Sequence, residues 1–250
     1  MFCKGTGMYE TLHCIALRTV KYNDKSSILS VYTLETGRMA LSIPAGKGPA
    51  AARIRALTMP MSCFECVAFI KPGREVHNFR DLKADESSLR ADFQNPLRIS
   101  LAFFLADFLN SLLKEPMADA QLWCLLQDTC RRLATEKGTR LPNFHIFTLL
   151  RLVRIMGIEP DRSTFSQGSI LDLIDGVWRS GVPLDHNHWL DPYDSSVASW
   201  LTLMHERNYH LYRFSREQRN RIIDVMTDYF GFHGYVIKDL QSLAILKELF

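Results

Sequence analysis

The spacing of apolar residues changes once along the chain, near residue 80. Before that point apolar and polar positions alternate, which indicates strands whose side chains point in turn to two faces. The strand-like runs cover residues 12–18, 28–34, 39–43, 61–70 and 75–79. Because five short strands bury little surface as an open sheet, we expect them to close into an OB-fold barrel. An SH3-like barrel is the alternative.

The segment from residue 44 to residue 53 interrupts the strand pattern. It is rich in glycine, proline and alanine, a composition that does not suit a strand. We expect an extended surface loop here, which carries Lys47 and Arg53 and is followed closely by Arg55.

After Asp81 apolar residues recur about every 3.6 positions, which indicates helices. Asn95-Pro96 resembles an N-cap followed by proline at the first helical position, and Ser215-Arg216-Glu217-Gln218 fits a capping box. Further helices are predicted near residues 122–138, 142–157, 195–211 and 240–250, whereas residues 158–193 resemble a loop. The sequence thus predicts an α+β chain with a barrel domain over residues 1–80 and an all-helical domain over residues 81–250.

Charge divides the chain at the same place. The whole chain carries a formal charge of +3, but residues 1–80 hold eleven Lys/Arg against five Asp/Glu, a charge of +6. Residues 81–250 are mildly acidic, at −3. A basic barrel predicts a surface for a polyanion in the first third of the chain, and a merely solvated basic face is the alternative.

Several classes of protein are excluded or disfavoured by the sequence. The longest apolar stretch, residues 99–109, contains Asp107 and is about half of the roughly 20 residues that span a bilayer. Residues 1–7 lack the apolar core of an export signal, so we expect a cytoplasmic protein without membrane contact. Phosphate-binding loops, nucleophile elbows and zinc-protease motifs are missing from the sequence, and we therefore do not expect an enzyme.

The six cysteines are expected to be reduced thiols rather than a disulfide framework. Cys63 and Cys66 form a Cys-x-x-Cys pair, but residues three apart on a regular strand face opposite sides and cannot grip one ion without a bulge. The histidines at positions 186, 188, 205 and 210 match no metal-binding pattern. We expect neither a bound metal nor another cofactor, and a metal or thiol enzyme is retained only as a hypothesis to be checked by elemental analysis.

The basic loops of the barrel are the strongest candidates for a site. In an OB-fold the loops after the first and fourth strands border the binding groove, where cations follow phosphates and aromatic faces stack on bases. The aromatic candidates are Tyr22, Tyr32, Phe64 and Phe79, although alternation favours burial of Phe64. The predicted DNA-binding residues are Arg18, Lys21, Tyr22, Lys25, Arg38, Lys47, Arg53, Arg55, Lys71 and Arg74.

Several segments resemble one known family. Residues 12–19 with Tyr22, and then Tyr32-Thr33-Leu34-Glu35-Thr36-Gly37, are similar to the N-terminal barrel of RecO, the bacterial recombination mediator. Residues 141–145, 156–160, 214–221 and 240–250 are similar to later RecO segments, so the resemblance covers about residues 9–250.

The resemblance implies a non-enzymatic protein that binds single- and double-stranded DNA and anneals complementary strands. It also implies work with RecR, and in some members RecF, to load RecA onto DNA coated with single-strand-binding protein, and hence association with the nucleoid. Many members hold zinc through four cysteines after the segment that matches Gly157 to Pro160. Since no cysteine lies between Asp161 and Leu211, we expect no zinc and a loop held by packing around Phe165, Leu171, Trp178 and Trp189.

Some members of that family bind the acidic and apolar C-terminal tail of single-strand-binding protein on the helical domain. The candidate residues for its carboxylates are Arg131, Arg132, Arg151, Arg154, Arg213 and Arg216, and local ion pairs on helix surfaces are the alternative. A second hypothesis for the whole chain is a protein-interaction adaptor whose contact with DNA depends on its partner.

Overall fold

A computed structural model describes residues 7–85, 95–191, 194, 201, 203–238 and 240–249. The chain divides into two compact units, Met1–Thr135 and Glu136–Phe250. The first unit therefore contains not only the barrel but also two helices that follow it. The division into domains at residue 80 stays a prediction, because a compact unit need not be a domain that folds alone. No helix in the described part of the chain is long and apolar enough to span a membrane.

The predicted five-stranded barrel is confirmed. Its strands are β1 (Met8–Lys21), β2 (Ser26–Thr33), β3 (Gly37–Pro44), β4 (Cys63–Ile70) and β5 (Val76–Ala84). They form a closed barrel in the order β1-β2-β3-β5-β4, in which β3 and β5 are parallel and the other neighbours are antiparallel. This five-stranded closed arrangement is that of the OB-fold.

The alternation seen in the sequence determines which side chains fill the barrel. Leu29, Val31, Leu41 and Ile43 point inward from β2 and β3, and each is almost completely buried. Burial of apolar surface at about 25 cal/mol per Å² is the main force that closes such a small sheet. The intervening residues of both strands face outward and are available for other contacts.

The expectation of an extended loop over residues 44–53 is wrong from residue 49 onward. The segment contains a short helix, α1 (Pro49–Leu57), between β3 and β4. Pro49 occupies the first turn, where its missing N–H costs nothing, and the alanines at positions 50–52 have the highest helix propensity. Ile54 on this helix packs against the barrel core.

The first unit continues with α2 (Pro96–Leu112) and α3 (Ala120–Thr135). As predicted, the Asn95 side chain caps α2 by accepting a hydrogen bond from the N–H of Arg98. The connection between the two helices covers one end of the β2–β3 pair. There the Tyr32 hydroxyl accepts a hydrogen bond from the Asp119 N–H at 3.1 Å, and a Cβ added at Gly37 would collide with the carbonyl of Met117.

The second unit contains α4 (Phe144–Ile155), α5 (Arg216–Phe232) and α6 (Leu243–Leu249). Both hydrogen bonds of the predicted capping box at Ser215 and Gln218 are present. The helix predicted over residues 195–211 is wrong in its second half. Residues 195–200 and 202 lie outside the described residues, and Leu201 and Leu203 are helical, but residues 204–208 are not helical and Tyr209–Leu211 is a 3-10 turn.

The sequence predicted a loop over residues 158–193, but the structure contains strands there as well. These residues include a three-stranded sheet made of β6 (Ile170–Asp172), β7 (Val177–Arg179) and β8 (Trp189–Leu190), with β6 in the middle. Such short strands give too few alternations to be recognised. The expected packing is present at Leu171 and Trp178, which are buried, whereas Phe165 meets Trp178 edge-on at 4.9 Å but is 47% exposed, and Trp189 is half-buried.

A buried carboxylate stabilises this small sheet. Asp172 in β6 accepts hydrogen bonds from the N–H groups of Ile174 and Asp175, and from the Nε of Arg179 at 2.9 Å. The Nε2 of His186 lies 3.5 Å from the same carboxylate. Burial alone would raise the pKa of Asp172, but these partners together hold it below its ordinary value.

Candidate nucleic-acid interface

Two loops meet at one end of the barrel. The β1–β2 loop and the segment that follows β3 are neighbours because Ser26 pairs with Pro44, and the N–H of Ala45 donates to the carbonyl of Lys25 at 3.0 Å. The guanidinium of Arg55 on α1 donates to the carbonyl of Gly46 at 2.7 Å. These contacts bring together five of the predicted residues, which we call the cationic rim: Lys21, Tyr22, Lys25, Lys47 and Arg55.

The cationic rim keeps most of its positive charge. Asp24 is the only carboxylate in residues 21–25 and 44–57, and it lies 3.0 Å from the ammonium of Lys21. Both side chains of this pair are largely exposed to water, so the pair contributes little and an incoming phosphate can compete for Lys21. No ion pair of Lys25 or Lys47 is found within the described residues.

The β1–β2 loop has a defined shape. The side-chain oxygen of Asn23 accepts hydrogen bonds from the N–H groups of Lys25 and Ser26 and from the Ser26 hydroxyl, at 2.8–3.0 Å. An asparagine that bonds the backbone two and three residues ahead forms a local turn. Lys25 is therefore held beside the loop after β3, and less conformational entropy remains to be lost when a ligand binds.

The outer face of β2 and β3 beside the rim has small side chains. Arg18 pairs with Ser30 across β1 and β2, and Ser30 pairs in turn with Ala40 of β3. In the next row Ile28 pairs with Ser42. Arg18, in the strand beside this outer face, is half-buried and carries a further positive charge.

Tyr22 is the only one of the four aromatic candidates with a free face. Its side chain is 70% exposed in the β1–β2 loop. Tyr32 is only 1% exposed because the α2–α3 connection covers it, and Phe64 lies in the barrel core as alternation predicted. Phe79 packs partly against the same core.

The β4–β5 hairpin carries the exposed residues Lys71 and Arg74. Val76, which follows this hairpin, pairs with Ala40 of β3 in a parallel register, so the hairpin lies toward the Gly37 end of β3. The β1–β2 loop lies at the Pro44 end. The two loops thus flank the outer face from opposite ends of β3 and are not adjacent.

Arg38 stands apart from the other predicted residues. It is half-buried, and its Nη2 donates to the side-chain oxygen of Asn110 in α2 at 2.7 Å. Burial lowers the pKa of this guanidinium. The structure therefore places Arg38 at the contact between barrel and helix, away from the cationic rim.

Arg53 faces a different surface from Arg55, since residues two apart on a helix point in nearly opposite directions. It lines a crevice of about 790 Å³ between α1 and β5, together with Arg80 and Lys83. Arg80 and Lys83 were not among the predicted residues because the fifth strand was expected to end at Phe79. The polar and apolar alternation from Phe79 to Lys83, broken once at Asp81, was the signal that could have found them.

The six arginines predicted to bind a protein tail are divided between the two units, Arg131 and Arg132 in the first and the other four in the second. Arg131 and Arg132 on α3 both pair with Asp128, and Arg154 pairs with Glu159 in the second unit. Arg151 lies over the ring of Phe147, and Arg216 donates to the carbonyl of Lys247. Arg213 is exposed. Arg131, Arg132 and Arg154 are therefore in local ion pairs on helix surfaces, the alternative to binding a tail.

The residues that could bind a metal are engaged otherwise. Cys66 lies in the barrel core, whereas Cys63 is hydrogen-bonded with Cys130 of α3, so the pair faces opposite sides of β4. Across the described ranges no three His, Cys, Asp or Glu side chains are grouped as ligands. The segment 158–193 holds no cysteine, and Asp172 is already occupied by Arg179 and two amides, so these residues do not fit the zinc site that the resemblance to RecO implies.

Comparison with known proteins agrees with this barrel. Residues 8–87 match the family model described as "Recombination protein O N terminal". The DNA repair protein RecO of Phocaeicola vulgatus is 32% identical over 236 residues, which is 94% of this chain and 97% of that protein. RecO of Porphyromonas gingivalis is 30% identical over 243 residues, and RecO of Bacteroides fragilis is 28% identical over 236, each with the same shares of both chains. The chain belongs to the RecO family and has a role in DNA repair and recombination.

Proposed function

We propose that this protein is a recombination mediator that binds single- and double-stranded DNA without sequence preference and anneals complementary strands. DNA backbone lies on the cationic rim and the adjacent outer face of β2 and β3. The observation that carries the proposal is the bond between Ala45 and Lys25, which assembles the cations of two loops at one end of an OB-fold barrel.

The chemistry of the rim favours recognition of the backbone over recognition of bases. Lys25, Lys47 and Arg55 offer charged donors to phosphates, and phosphate contacts carry no sequence information. Tyr22 adds one aromatic face, on which any base can stack. Such a surface suits a protein that acts on any damaged sequence.

Annealing follows from charge without a chemical step. Neutralisation of phosphates lowers the repulsion between two strands, and base pairing then proceeds by itself. We therefore propose a non-enzymatic protein, in which neither nucleophile nor metal takes part.

The proposal includes partner proteins, because the chain belongs to the RecO family and members of that family act together with other proteins. RecR, and in some members RecF, would work with this chain to load RecA onto DNA coated with single-strand-binding protein. The acidic tail of that coating protein would meet arginines of the chain, of which Arg213 offers an exposed guanidinium. We propose that the protein acts in the bacterial cytoplasm, at the nucleoid.

A fluorescence assay of single-strand binding and strand annealing across salt concentrations tests the proposal. About five phosphate contacts, from Arg18, Lys21, Lys25, Lys47 and Arg55, give a log-log salt slope of about −3.5 for a single strand. Replacement of Lys25, Lys47 and Arg55 by alanine should weaken binding to all sequences alike and reduce the slope by about 2. Binding that does not respond to salt would refute the proposal.

A matched control removes the same charge elsewhere. Alanine at Lys114, Arg131 and Lys137, which are all exposed and outside the cationic rim, should leave the slope unchanged. The adaptor hypothesis makes a different prediction, namely that DNA binds measurably only in the presence of RecR. Titration with and without RecR separates the two.

A further inference from the structure

The crevice between α1 and β5 is a second surface of the barrel, separate from the cationic rim. Its walls are formed by Ala50, Arg53, Ile54 and Leu57 of α1 and by residues 79–83 of β5. Ser42 and Pro44 at the end of β3 and Val67 of β4 complete the lining. The floor is thus mainly aliphatic, and the charged groups stand around it.

The crevice exists because β3 and β5 diverge. These parallel strands are paired only from Ala40 to Ser42 and from Val76 to Asn78. Beyond Asn78, β5 is paired with β4 alone in the described part of the chain. Its other edge, over residues 79–84, opens into the crevice, and an open strand edge presents unpaired backbone donors and acceptors.

A bulge shapes this edge. Val67 of β4 pairs with Arg80, and Glu65 pairs with Lys83, so β5 advances three residues where β4 advances two. Asp81 at the bulge has a φ of 55°, an unusual value for a residue other than glycine. As a result Leu82 packs against the barrel core while Arg80 and Lys83 both line the crevice.

The charges around the crevice are mostly positive and accessible. Arg80 lies 3.5 Å from Asp81, and Lys83 lies 3.8 Å from Glu65, but all four side chains are exposed enough for these pairs to be weak. The guanidinium of Arg80 also lies over the Tyr9 ring of β1, 4.2 Å from the ring centre, so it reaches across β4 and away from the open edge of β5. Arg53 has no ion pair among the residues that the structure describes. A ligand with carboxylates spaced along an extended backbone would find two cations here, Arg53 and Lys83.

We propose that the crevice binds an extended segment of a protein partner, in which carboxylates alternate with apolar side chains. The segment lies along β5 on the side opposite β4, as an added strand. Its apolar side chains enter the floor formed by Ile54 and Leu57, and its carboxylates meet Arg53 and Lys83. Backbone hydrogen bonds to an open edge give affinity, and alternate side chains give selectivity.

A nucleic acid fits this surface less well. Single-strand binding relies on aromatic faces, and the one aromatic residue of the crevice, Phe79, packs partly against the barrel core. The aliphatic floor offers a nucleobase no stacking partner. It offers leucine or valine side chains the environment that they prefer.

The probe is a fluorescein-labelled peptide of alternating aspartate and leucine, about six residues long to match the open edge of β5. Fluorescence anisotropy with the full chain should detect its binding. Ala50→Trp fills the crevice and should weaken binding by about tenfold or more. Ala52→Trp, on an exposed position of the same helix outside the crevice, should not, and it controls for the stability of α1.

A pair of charge reversals on α1 gives a second test, which also separates this proposal from the DNA-binding function. Arg53→Glu should weaken the peptide complex and Arg55→Glu should not, whereas binding of labelled oligothymidylate should respond chiefly to Arg55→Glu. If oligothymidylate binding alone fails to respond to Arg55→Glu, the proposed DNA-binding function is contradicted. If peptide binding alone fails to respond to Arg53→Glu, the crevice proposal is contradicted.

Two further results would overturn strand addition. Proline in place of the central leucine, or of the aspartate before it, removes a backbone donor on one side of the peptide or the other. One of these two peptides should bind poorly, so unchanged affinity of both refutes the added strand. Amide hydrogen exchange of residues 80–84 should slow in the complex, and unchanged exchange contradicts it as well. The proposal is also rejected if the aspartate–leucine peptide does not bind at about 1 mM. It is rejected as well if Ala50→Trp weakens oligothymidylate binding more than peptide binding.

Discussion

Gly37 and Met117 are in direct backbone contact, so that a methyl group at Gly37 would occupy the space of the Met117 carbonyl. This contact fixes the α2–α3 connection on the barrel. It covers Tyr32 and leaves the rim end of the β2–β3 face open. The relationship explains why only part of the predicted binding surface is accessible.

Gly37→Ala should destabilise the first unit more than its backbone conformation alone requires. Gly37 and Gly73 have almost the same φ, 74° and 75°, but a Cβ at Gly73 would meet nothing within 4 Å. We expect Gly73→Ala to cost about 1–2 kcal/mol from the left-handed conformation, and Gly37→Ala to cost about 3 kcal/mol or more. Urea unfolding measures both, and equal losses would show that the contact with Met117 is not tight.

Tyr22→Ala should weaken single-strand binding selectively. A ring that is 70% exposed in the β1–β2 loop can stack on an unpaired base but not on a paired one. Loss of one stacking contact of about 1–3 kcal/mol lowers affinity for single strands roughly 5- to 150-fold. Tyr22→Phe retains the ring and should bind normally. A parallel loss of duplex affinity in Tyr22→Ala would argue against stacking.

His145 should make the second unit less stable at low pH. Its imidazole is buried in α4, and desolvation together with the charge of Arg219 lowers its pKa to about 3. Below about pH 6.5 the unfolded chain takes up a proton that the folded chain does not, so the free energy of unfolding falls by up to about 1.4 kcal/mol per pH unit until about pH 3. Above pH 6.5 this contribution is constant.

Urea unfolding at pH 7 and pH 5 measures that slope. His145→Gln cannot titrate in this range, and the variant should lose this part of the pH dependence. His205→Gln changes an exposed imidazole and serves as the control. If His145→Gln and the natural chain show the same slope, the buried imidazole is not its source.

Asp172→Asn should destabilise the small sheet of the second unit by about 1–3 kcal/mol, because a buried charge-assisted hydrogen bond to Arg179 is lost. Asp175 also pairs with Arg179 but is half exposed, so Asp175→Asn should cost less than about 1 kcal/mol. Thermal unfolding compares the two variants. An equal or larger loss in Asp175→Asn would show that burial of Asp172 does not matter.

The elements with a regular pattern could be predicted from the sequence. The barrel strands follow from alternation, and α2 and α5 begin where Asn95 and Ser215 predict, because their caps depend only on neighbouring residues. Helix α1 was missed because the glycines and prolines of residues 44–49 outweighed the alanines that follow. Proline in the first turn of a helix and proline in a loop look alike in a sequence.

The candidate site was predicted in part for a similar reason. The composition of the loops identified the rim residues. The contact that holds Arg38 away from the rim could not be predicted, because its partner Asn110 lies 72 positions away in the sequence. The crevice depends on a bulge at Asp81 and on the divergence of β3 and β5, and neither has a local signature. The Asp172 cluster likewise joins residues from separate turns of the second unit.

The cover over Tyr32 also sets a limit to the DNA path that we propose. On that path, a strand that leaves the cationic rim toward the Gly37 end meets Met117 and Asp119 instead of open sheet. The proposed mode of binding therefore implies a short footprint with uncovered nucleotides beside it. Uncovered nucleotides can meet their complements, so the steric block at Gly37 is consistent with the strand annealing that we propose.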